Sequence, residues 1–224
     1  MCGRFTQTAS PAVIAQQFDV AVPPLFTPLY NIAPSQAVAA VRIEPDTTTR
    51  QLVLLRWGLI PSWAKDPKVG HQCINAKAET VAEKPSFRAA FKTRRCLVIA
   101  TGFYEWQVQG RAKQPIWIGL KSHRPFAFAG LWEQWQPPEG AVIESCTILT
   151  TEPNELLRPI HNRMPVILSP TAYDQWLDPA VQQAEPLKTL LRPYPSDELL
   201  AYPVSTLVNN PRHDAPECLE PLPV

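Results

Sequence analysis

Short β-like runs dominate the hydrophobic pattern of the chain. Runs of aliphatic, β-branched and aromatic residues between turn-forming residues predict strands over 37–44, 51–57, 96–101, 103–108, 116–120, 126–131 and 142–150. The Gln109-Gly110 pair between two of these runs is typical of a hairpin tip.

Helical segments are fewer and short. The pairs Ser10-Pro11 and Ser169-Pro170 each provide a capping side chain and a proline suited to the first turn of a helix. Helices are predicted over 11–18, 79–83, 86–92, 152–157, 170–177 and 181–191. The stretch 20–34 and the chain from residue 202 onward predict irregular structure. Because strands and helices do not alternate regularly, we expect an α+β fold with a curved, barrel-like mixed or antiparallel sheet and short flanking helices.

Composition supports this architecture. The 224 residues include 26 prolines and only 8 glycines, which is typical of stiff turns and short elements. No repeat or low-complexity segment divides the chain. We therefore expect a single domain over residues 1–224.

Charge and cysteine content exclude several classes of protein. The 21 basic and 20 acidic residues give a net charge of +1, which excludes a polybasic binder but permits a local basic cleft. The five cysteines have no CxxC spacing, so we expect no metal, no cofactor and reduced thiols. Without an apolar run of about 20 residues or a signal peptide, we expect a cytoplasmic protein that does not enter membranes.

Cys2 is a candidate nucleophile because of its position. A small residue after Met1 is typical of chains that lose the initiator methionine, which would give Cys2 a free α-amine beside its thiol. The amine can condense with an aldehyde to an imine, and the thiol can then close a thiazolidine ring. Nearby, Arg4 can hold a phosphate and Phe5 can anchor the segment in the core. The alternative is a frayed terminus with an incidental cysteine.

Further candidates lie in three other segments. Asn75 and Lys77 share one face if the chain there is extended. Glu105 lies among aromatic residues, where burial raises the pKa of a carboxyl group and suits it to general acid–base catalysis. Its alternative is a solvent-facing strand position. His161 lies close to Arg163 in a predicted turn between a helix and a strand. It is therefore a better candidate than the other histidines, which are His71, His123 and His213.

Two tryptophans bracket the segment 58–62. Trp57 lies in an apolar run, which favours core packing. Trp63 precedes Ala64-Lys65-Asp66, and an exposed tryptophan in such a loop can stack on an unpaired base.

Six segments, in order, resemble the conserved blocks of the SOS-response-associated peptidase (SRAP) family of abasic-site-processing proteins. They are MCGRF at 1–5, YNIAPSQ at 30–36, RWGLIPSWAKD at 56–66, INAKAET at 74–80, GFYEW at 102–106 and IHNRMPVIL at 160–168. The resemblance implies that the protein recognises abasic sites in single-stranded DNA during the DNA damage response. It also implies a thiazolidine crosslink to the ring-opened deoxyribose aldehyde, with associated lyase or peptidase-type chemistry. The family name suggests a proteolytic role, for which self-removal of Met1 would be sufficient.

The resemblance also implies roles for individual residues. Matching positions for the active site are Cys2, Asn75, Glu105 and His161. Matching positions for DNA contacts are Arg4, Trp63, Lys77 and Arg163. Many family members have arginine at the position of Lys77, and some have two tandem tryptophans where this chain has only Trp63. Both differences affect the expected strength of DNA binding.

Two other function classes stay open at this stage. Class II glutamine amidotransferases also begin Met-Cys-Gly, but this chain lacks their Arg-Gly and Asn-Gly pairs. A non-covalent single-stranded DNA-binding protein with an incidental Cys2 is the other alternative. Under each of these interpretations, we expect the protein to be a monomer.

Overall fold

The computed structural model describes residues 2–22, 27–44 and 47–223. The strands are β1 (Phe5–Gln7), β2 (Leu29–Ile32), β3 (Ala37–Ile43), β4 (Arg50–Trp57), β5 (Asn75–Lys77), β6 (Arg95–Ala100), β7 (Gly102–Gln109), β8 (Ala112–Leu120), β9 (Phe126–Trp135), β10 (Ile143–Thr151), β11 (Met164–Pro165), β12 (Ile167–Leu168) and β13 (Leu199–Pro203). The helices are α1 (Pro11–Phe18), α2 (Arg88–Thr93), α3 (Tyr173–Leu177) and α4 (Ala184–Lys188).

Five strands close into a barrel. The order β10-β4-β3-β6-β9 returns to its start because β9 also pairs with β10. All these pairings are antiparallel except β4 with β10, which is parallel and short, joining Arg56 to Ser145 and Trp57 to Cys146. The predicted α+β fold with a barrel-like mixed sheet is therefore confirmed.

A second, antiparallel sheet has the order β13-β8-β7-β1-β2. The N-terminal strand lies inside this sheet, with Phe5 opposite Phe103 of β7 and Ile32 of β2. The Phe5 ring is fully buried and makes edge contacts with Trp57 at 5.2 Å and Phe128 at 5.7 Å between ring centroids. The segment that carries Cys2 is thereby fixed by both backbone pairing and core packing.

Period-two alternation places two hydrophobic clusters on opposite faces of the barrel strands. In β6, Val98 packs with the cluster that contains Cys2 and Phe5, whereas Leu97 packs with the cluster that contains α1 and α3. The described residues include no helix long and apolar enough to cross a membrane.

The predicted helices had mixed outcomes. The helix over 11–18 is confirmed, and the Ser10 hydroxyl accepts a hydrogen bond from the Val13 N–H at 3.4 Å. The segment 170–177 is divided into a 3-10 turn, Pro170–Ala172, and α3. The predicted helix over 86–92 begins later, as α2, and the one over 181–191 shortens to α4.

Two predicted helices are wrong. Residues 79–83 form successive turns, because Pro85 disfavours helical geometry in the preceding residue. Residues 152–157 contain a single turn, in which the Asn154 side chain accepts a hydrogen bond from the Leu157 N–H at 3.0 Å. This bond caps the turn as at a helix N-terminus, but Pro159 disfavours helical geometry at Arg158, so the turn does not continue as a helix.

The stretches predicted to be irregular contain additional order. Strand β2 lies within 20–34, a range in which 23–26 fall outside the described residues. Strand β13 extends into the tail, and the 3-10 turns Thr206–Asn209 and Pro216–Leu219 follow it. These turns pack against the N-terminal part of the chain.

Candidate active site and DNA-binding surface

Cys2 is buried at the centre of the candidate site. Its side chain has no exposed surface, and its backbone carbonyl accepts a hydrogen bond from Asn75 Nδ2 at 2.8 Å. Burial raises the pKa of the Cys2 thiol well above its usual value, and the negative charge of Glu105 raises it further. The thiol is therefore protonated at neutral pH and needs a base to become a nucleophile.

Asn75 reaches Cys2 from β5. This strand pairs with β10 in parallel, with Asn75 opposite Ile148, and Trp57 Nε1 donates to the Ile74 carbonyl at 2.9 Å. The backbone around Asn75 is thus held by strand pairing and by the Trp57 side chain. Its Oδ1 atom is buried and has no hydrogen-bond partner within the described part of the chain. A buried amide oxygen of this kind is available to a ligand.

Glu105 lies on β7 with only 2% of its surface exposed. Burial raises the pKa of this carboxyl group to about 7, so both protonation states are populated near neutrality. The distance from its Oε2 atom to Nε2 of His161 is 4.0 Å. A carboxyl group with this pKa is suited to give or take a proton.

His161 is oriented by the backbone of Arg163. The Arg163 N–H lies 3.0 Å from His161 Nδ1, and the Arg163 carbonyl oxygen lies 3.1 Å from the same nitrogen. In the neutral ring, Nδ1 accepts the N–H and leaves the proton on Nε2, the nitrogen nearer Glu105. In the charged ring, Nδ1–H can donate to the carbonyl. Burial lowers the pKa of His161, which favours the neutral form.

The loop that carries His161 is fixed at two further points. The His161 N–H donates to the Leu157 carbonyl at 2.9 Å, and Gln107 Nε2 of β7 donates to the Pro159 carbonyl at 3.2 Å. The loop and the strand that bears Glu105 are thus directly connected. The structure brings together four sequence-predicted residues, which are Cys2, Asn75, Glu105 and His161.

Arg4 has internal partners. Its Nη1 donates to Asn31 Oδ1 at 2.7 Å and to the Val208 carbonyl at 2.6 Å, and Nη2 donates to the Asn209 carbonyl at 3.3 Å. Its guanidinium also lies 5.9 Å from the centre of the Trp106 ring. These contacts join the N-terminal segment to the 3-10 turn at Thr206–Asn209, and the expected phosphate contact of Arg4 stays a prediction.

Lys77 and Arg163 lie close to the active-site residues but differ in their surroundings. Lys77 is exposed at the end of β5, two residues beyond Asn75. Arg163 has a side chain that is only 16% exposed, and its two terminal nitrogens contact the two carboxylate oxygens of Glu79 at 2.6 and 3.0 Å. Its Nη2 also donates to the Thr150 carbonyl at 2.5 Å.

Trp63 projects from the surface, with 62% of its area exposed. The loop beneath it is rigidly held, because Trp135 Nε1 donates to the Ala64 carbonyl at 2.7 Å and Ser145 Oγ accepts from the Ile60 N–H at 2.8 Å. Trp57, in contrast, is completely buried, as its apolar surroundings predict.

Sequence reasoning missed two residues that organise this region. Asn31 binds Arg4 and three carbonyls of the C-terminal segment, those of Val208, Asn210 and His213, and Glu79 pairs with Arg163. Both residues lie within segments that resemble blocks of the SRAP family, and this resemblance is the only feature of the sequence that points to them.

The cysteines and acidic residues give no sign of a metal centre. All five cysteines are free thiols and all are buried. Within 2–22, 27–44 and 47–223, no group of three His, Cys, Asp or Glu side chains is arranged to hold a metal ion.

Comparisons with known proteins give consistent results. The family model of the SOS response associated peptidase (SRAP) matches residues 1–211. The chain is 47% identical over 224 residues to the abasic site processing protein YoqW of Bacillus subtilis strain 168, covering 98% of this chain and 99% of that protein. It is 34% identical to the abasic site processing protein HMCES of Xenopus tropicalis, covering 87% of this chain and 66% of that protein.

Solved structures share the fold. A crystal structure of a protein from Bacteroides thetaiotaomicron has a TM-score of 0.87 at 26% identity and covers 99% of this chain and 100% of that one. A second, from Bordetella bronchiseptica, has a TM-score of 0.78 at 28% identity and covers 91% of this chain and 100% of that one. Because the family model spans nearly the whole chain and the identity to its relatives is high over nearly full length, this chain belongs to the SOS response associated peptidase (SRAP) family.

Proposed function

We propose that this protein recognises abasic sites in single-stranded DNA and forms a covalent crosslink to them through Cys2, which shields the lesion during the DNA damage response. The observation that carries the proposal is the convergence of Cys2, Asn75, Glu105 and His161 at the N-terminal end of β1. The names of the relatives, abasic site processing proteins, agree with this substrate.

The first step is opening of the abasic sugar. This sugar is mostly a closed hemiacetal, so a proton must leave its hydroxyl and another must reach its ring oxygen before an aldehyde forms. Glu105, with its pKa raised to about 7, is present both as acid and as base near neutral pH. His161, held with its Nε2 facing Glu105, provides a second site for the proton.

Bond formation follows in two steps. The α-amine of Cys2 adds to the aldehyde carbon and expels one water to give an imine. The thiol sulfur then bonds to the same carbon, the imine nitrogen takes up a proton, and the thiazolidine ring closes. Because burial and Glu105 raise the pKa of the thiol, the S–H proton must be taken by a neighbouring base, and the ionised Glu105 is the group placed for this.

Asn75 positions the reacting residue. Its Nδ2 donates to the Cys2 carbonyl, and its Oδ1 is buried without a partner among the described residues. An amine or sugar hydroxyl there would satisfy this oxygen. We assign Asn75 to orienting the Cys2 amine and the sugar.

The DNA strand is proposed to lie over the exposed side of this site. The cations proposed to contact phosphates are Lys77 at the end of β5, Arg163, and Arg4 of the N-terminal segment. Trp63 is proposed to stack on a base next to the lesion, since a missing base leaves a gap that an aromatic ring can border.

The mechanism requires a free amine on Cys2. With Met1 attached, this nitrogen is an amide and cannot form an imine. We therefore propose that Met1 is removed, and that the peptidase activity implied by the family name is this self-processing. Intact-mass analysis of the purified active protein should show loss of one methionine.

The proposal is tested by a crosslinking assay on denaturing gels. Wild-type protein should give a heat-stable adduct with single-stranded DNA that contains an abasic site, and Cys2→Ala should give none. Cys73→Ala provides the matched control, because this buried thiol should be dispensable. Prior reduction of the DNA aldehyde with borohydride should prevent the adduct. An adduct that persists with Cys2→Ala would place the chemistry on another residue.

A further inference from the structure

The guanidinium of Arg163 is already occupied by a carboxylate. Both oxygens of Glu79 face its two terminal nitrogens, at 2.6 and 3.0 Å, in a two-pronged arrangement. A DNA phosphate would use the same two donors in the same geometry. The contact of Arg163 with DNA therefore requires that Glu79 leave.

The two members of this pair differ in how firmly they are held. The side chain of Glu79 is 52% exposed, whereas that of Arg163 is 16% exposed and also donates to the Thr150 carbonyl. Glu79 can therefore rotate into solvent while Arg163 keeps its position. The backbone of Arg163, which holds His161 Nδ1, need not move in this exchange.

Glu79 lies beside the proposed DNA path. It follows Lys77 by two residues, and strand β5 pairs Lys77 with Thr150, the residue whose carbonyl Arg163 contacts. The hydrogen bond from Arg163 lowers the pKa of Glu79, so this carboxylate is charged at neutral pH. While it is paired with Arg163, the two charges cancel, and the guanidinium has no free charge to offer a phosphate until Glu79 is displaced.

We propose that Glu79 is an exchangeable carboxylate that occupies Arg163 in the absence of DNA and is replaced there by a backbone phosphate on binding. This inference rests on the proposed function, because it assumes that single-stranded DNA passes over β5. In the free protein Glu79 keeps Arg163 ordered, and its displacement lowers the affinity for any DNA strand. Glu79 thus sets how tightly the protein binds DNA without taking part in the chemistry.

A double-mutant cycle tests this inference on single-stranded DNA without a lesion. Glu79→Gln should tighten binding about two- to fivefold at low salt, since a surface ion pair no longer has to be broken. The gain should shrink as the salt concentration rises, because salt weakens the surface ion pair that the wild type has to break. In an Arg163→Gln background, Glu79→Gln should change the affinity less than about twofold, because the gain acts through Arg163.

The control is Glu185→Gln on α4, which removes an exposed carboxylate from another surface ion pair, that with Lys188. It should leave DNA affinity unchanged. Arg163→Lys offers a second background if the glutamine variant unfolds in a thermal melt, since lysine lacks the two-pronged fork. There the gain from Glu79→Gln should again be smaller than in the wild type.

The outcomes separate this inference from the proposed function. Unchanged affinity in Glu79→Gln, or an equal gain in the Arg163 variants, would overturn the exchange. Absence of DNA binding in every variant would overturn it too. Normal coupling between Glu79 and Arg163 without any crosslink to abasic DNA would overturn the proposed chemistry and leave the exchange standing.

Discussion

Asn75 Nδ2 donates a hydrogen bond to the backbone carbonyl of Cys2 at 2.8 Å, across 73 positions of sequence. Two short strands make this contact possible. Pairing of β5 with β10 fixes Asn75, and pairing of β1 with β2 and β7 fixes the segment that follows Cys2. The candidate nucleophile is thus held by the fold before any substrate arrives, which reduces the entropy lost on reaching the reactive geometry.

Replacing Asn75 should affect chemistry more than DNA binding. Asn75→Ala removes the bond to Cys2 and the unpaired Oδ1, so we expect crosslinking to slow by about tenfold or more. Affinity for single-stranded DNA without a lesion should change little. A time course of adduct formation, paired with an equilibrium binding assay, measures both. Crosslinking at the wild-type rate would show that Asn75 supports only the fold.

Glu105→Gln should slow crosslinking by at least about tenfold, because an amide cannot exchange a proton. In the wild type, the pKa of about 7 predicts a rate that changes most steeply around pH 7, and the glutamine variant should lose this inflection. His161→Ala should give a defect of similar size. If the substrate is a simple open aldehyde, both defects should shrink, because ring opening is bypassed.

Glu105 should also make stability depend on pH. Its folded pKa of about 7 lies above the ordinary value of ~4.3, so the folded state binds more protons between these values. Its stabilising contribution is therefore complete below about pH 4 and is lost as pH rises through about 7. Between pH 4 and pH 8 the wild type should lose on the order of 3 kcal/mol of unfolding free energy through this group. Glu105→Gln should not show this loss. Denaturant titrations at both values would detect this, and equal pH dependence would contradict it.

Trp63→Ala should weaken binding to single-stranded DNA by about five- to a hundredfold, the range expected from loss of one stacked base. Its thermal stability should match that of the wild type, because the ring is largely exposed. Leu54→Ala on β4 is the matched control, with the same 62% exposure, and should bind DNA normally. If Trp63→Ala binds DNA with the affinity of the wild type, the Trp63 ring does not contact the DNA.

Asn31 connects the N-terminal sheet to the C-terminal segment. Asn31→Ala loses donors to three carbonyls and the acceptor for Arg4, so we expect a loss of about 2–4 kcal/mol in unfolding free energy. Asn31→Asp retains the acceptor and loses the donors. Limited proteolysis should cut 206–218 faster in both variants, and protection equal to that of the wild type would contradict the assigned role.

The strands of the barrel could be predicted from sequence because their alternation is local. The predicted runs 37–44, 51–57 and 96–101 agree with β3, β4 and β6 to within one residue at either end. Short strands such as β1 and β5 carry no such pattern, because only distant partners make them extended. The sequence favours helices over 79–83 and 152–157, but Pro85 and Pro159 disfavour helical geometry in the residues before them, and only turns form.

The candidate site was predictable in part. Residue type, position and family resemblance indicate Cys2, Glu105 and His161, and the structure brings these three residues together. The roles of Asn31 and Glu79 depend on contacts up to 182 positions apart, which no local pattern indicates. For the same reason, sequence could not show that Arg4 and Arg163 have internal partners.

The most direct test of the account is mass spectrometry of the protein–DNA adduct. Protein incubated with abasic single-stranded DNA should give an adduct whose mass equals the protein without Met1 plus the DNA, less one water. Fragmentation of the N-terminal peptide should place the modification on Cys2, with both its nitrogen and sulfur blocked against alkylating reagents. An adduct on another residue, or on a chain that retains Met1, would contradict the thiazolidine mechanism.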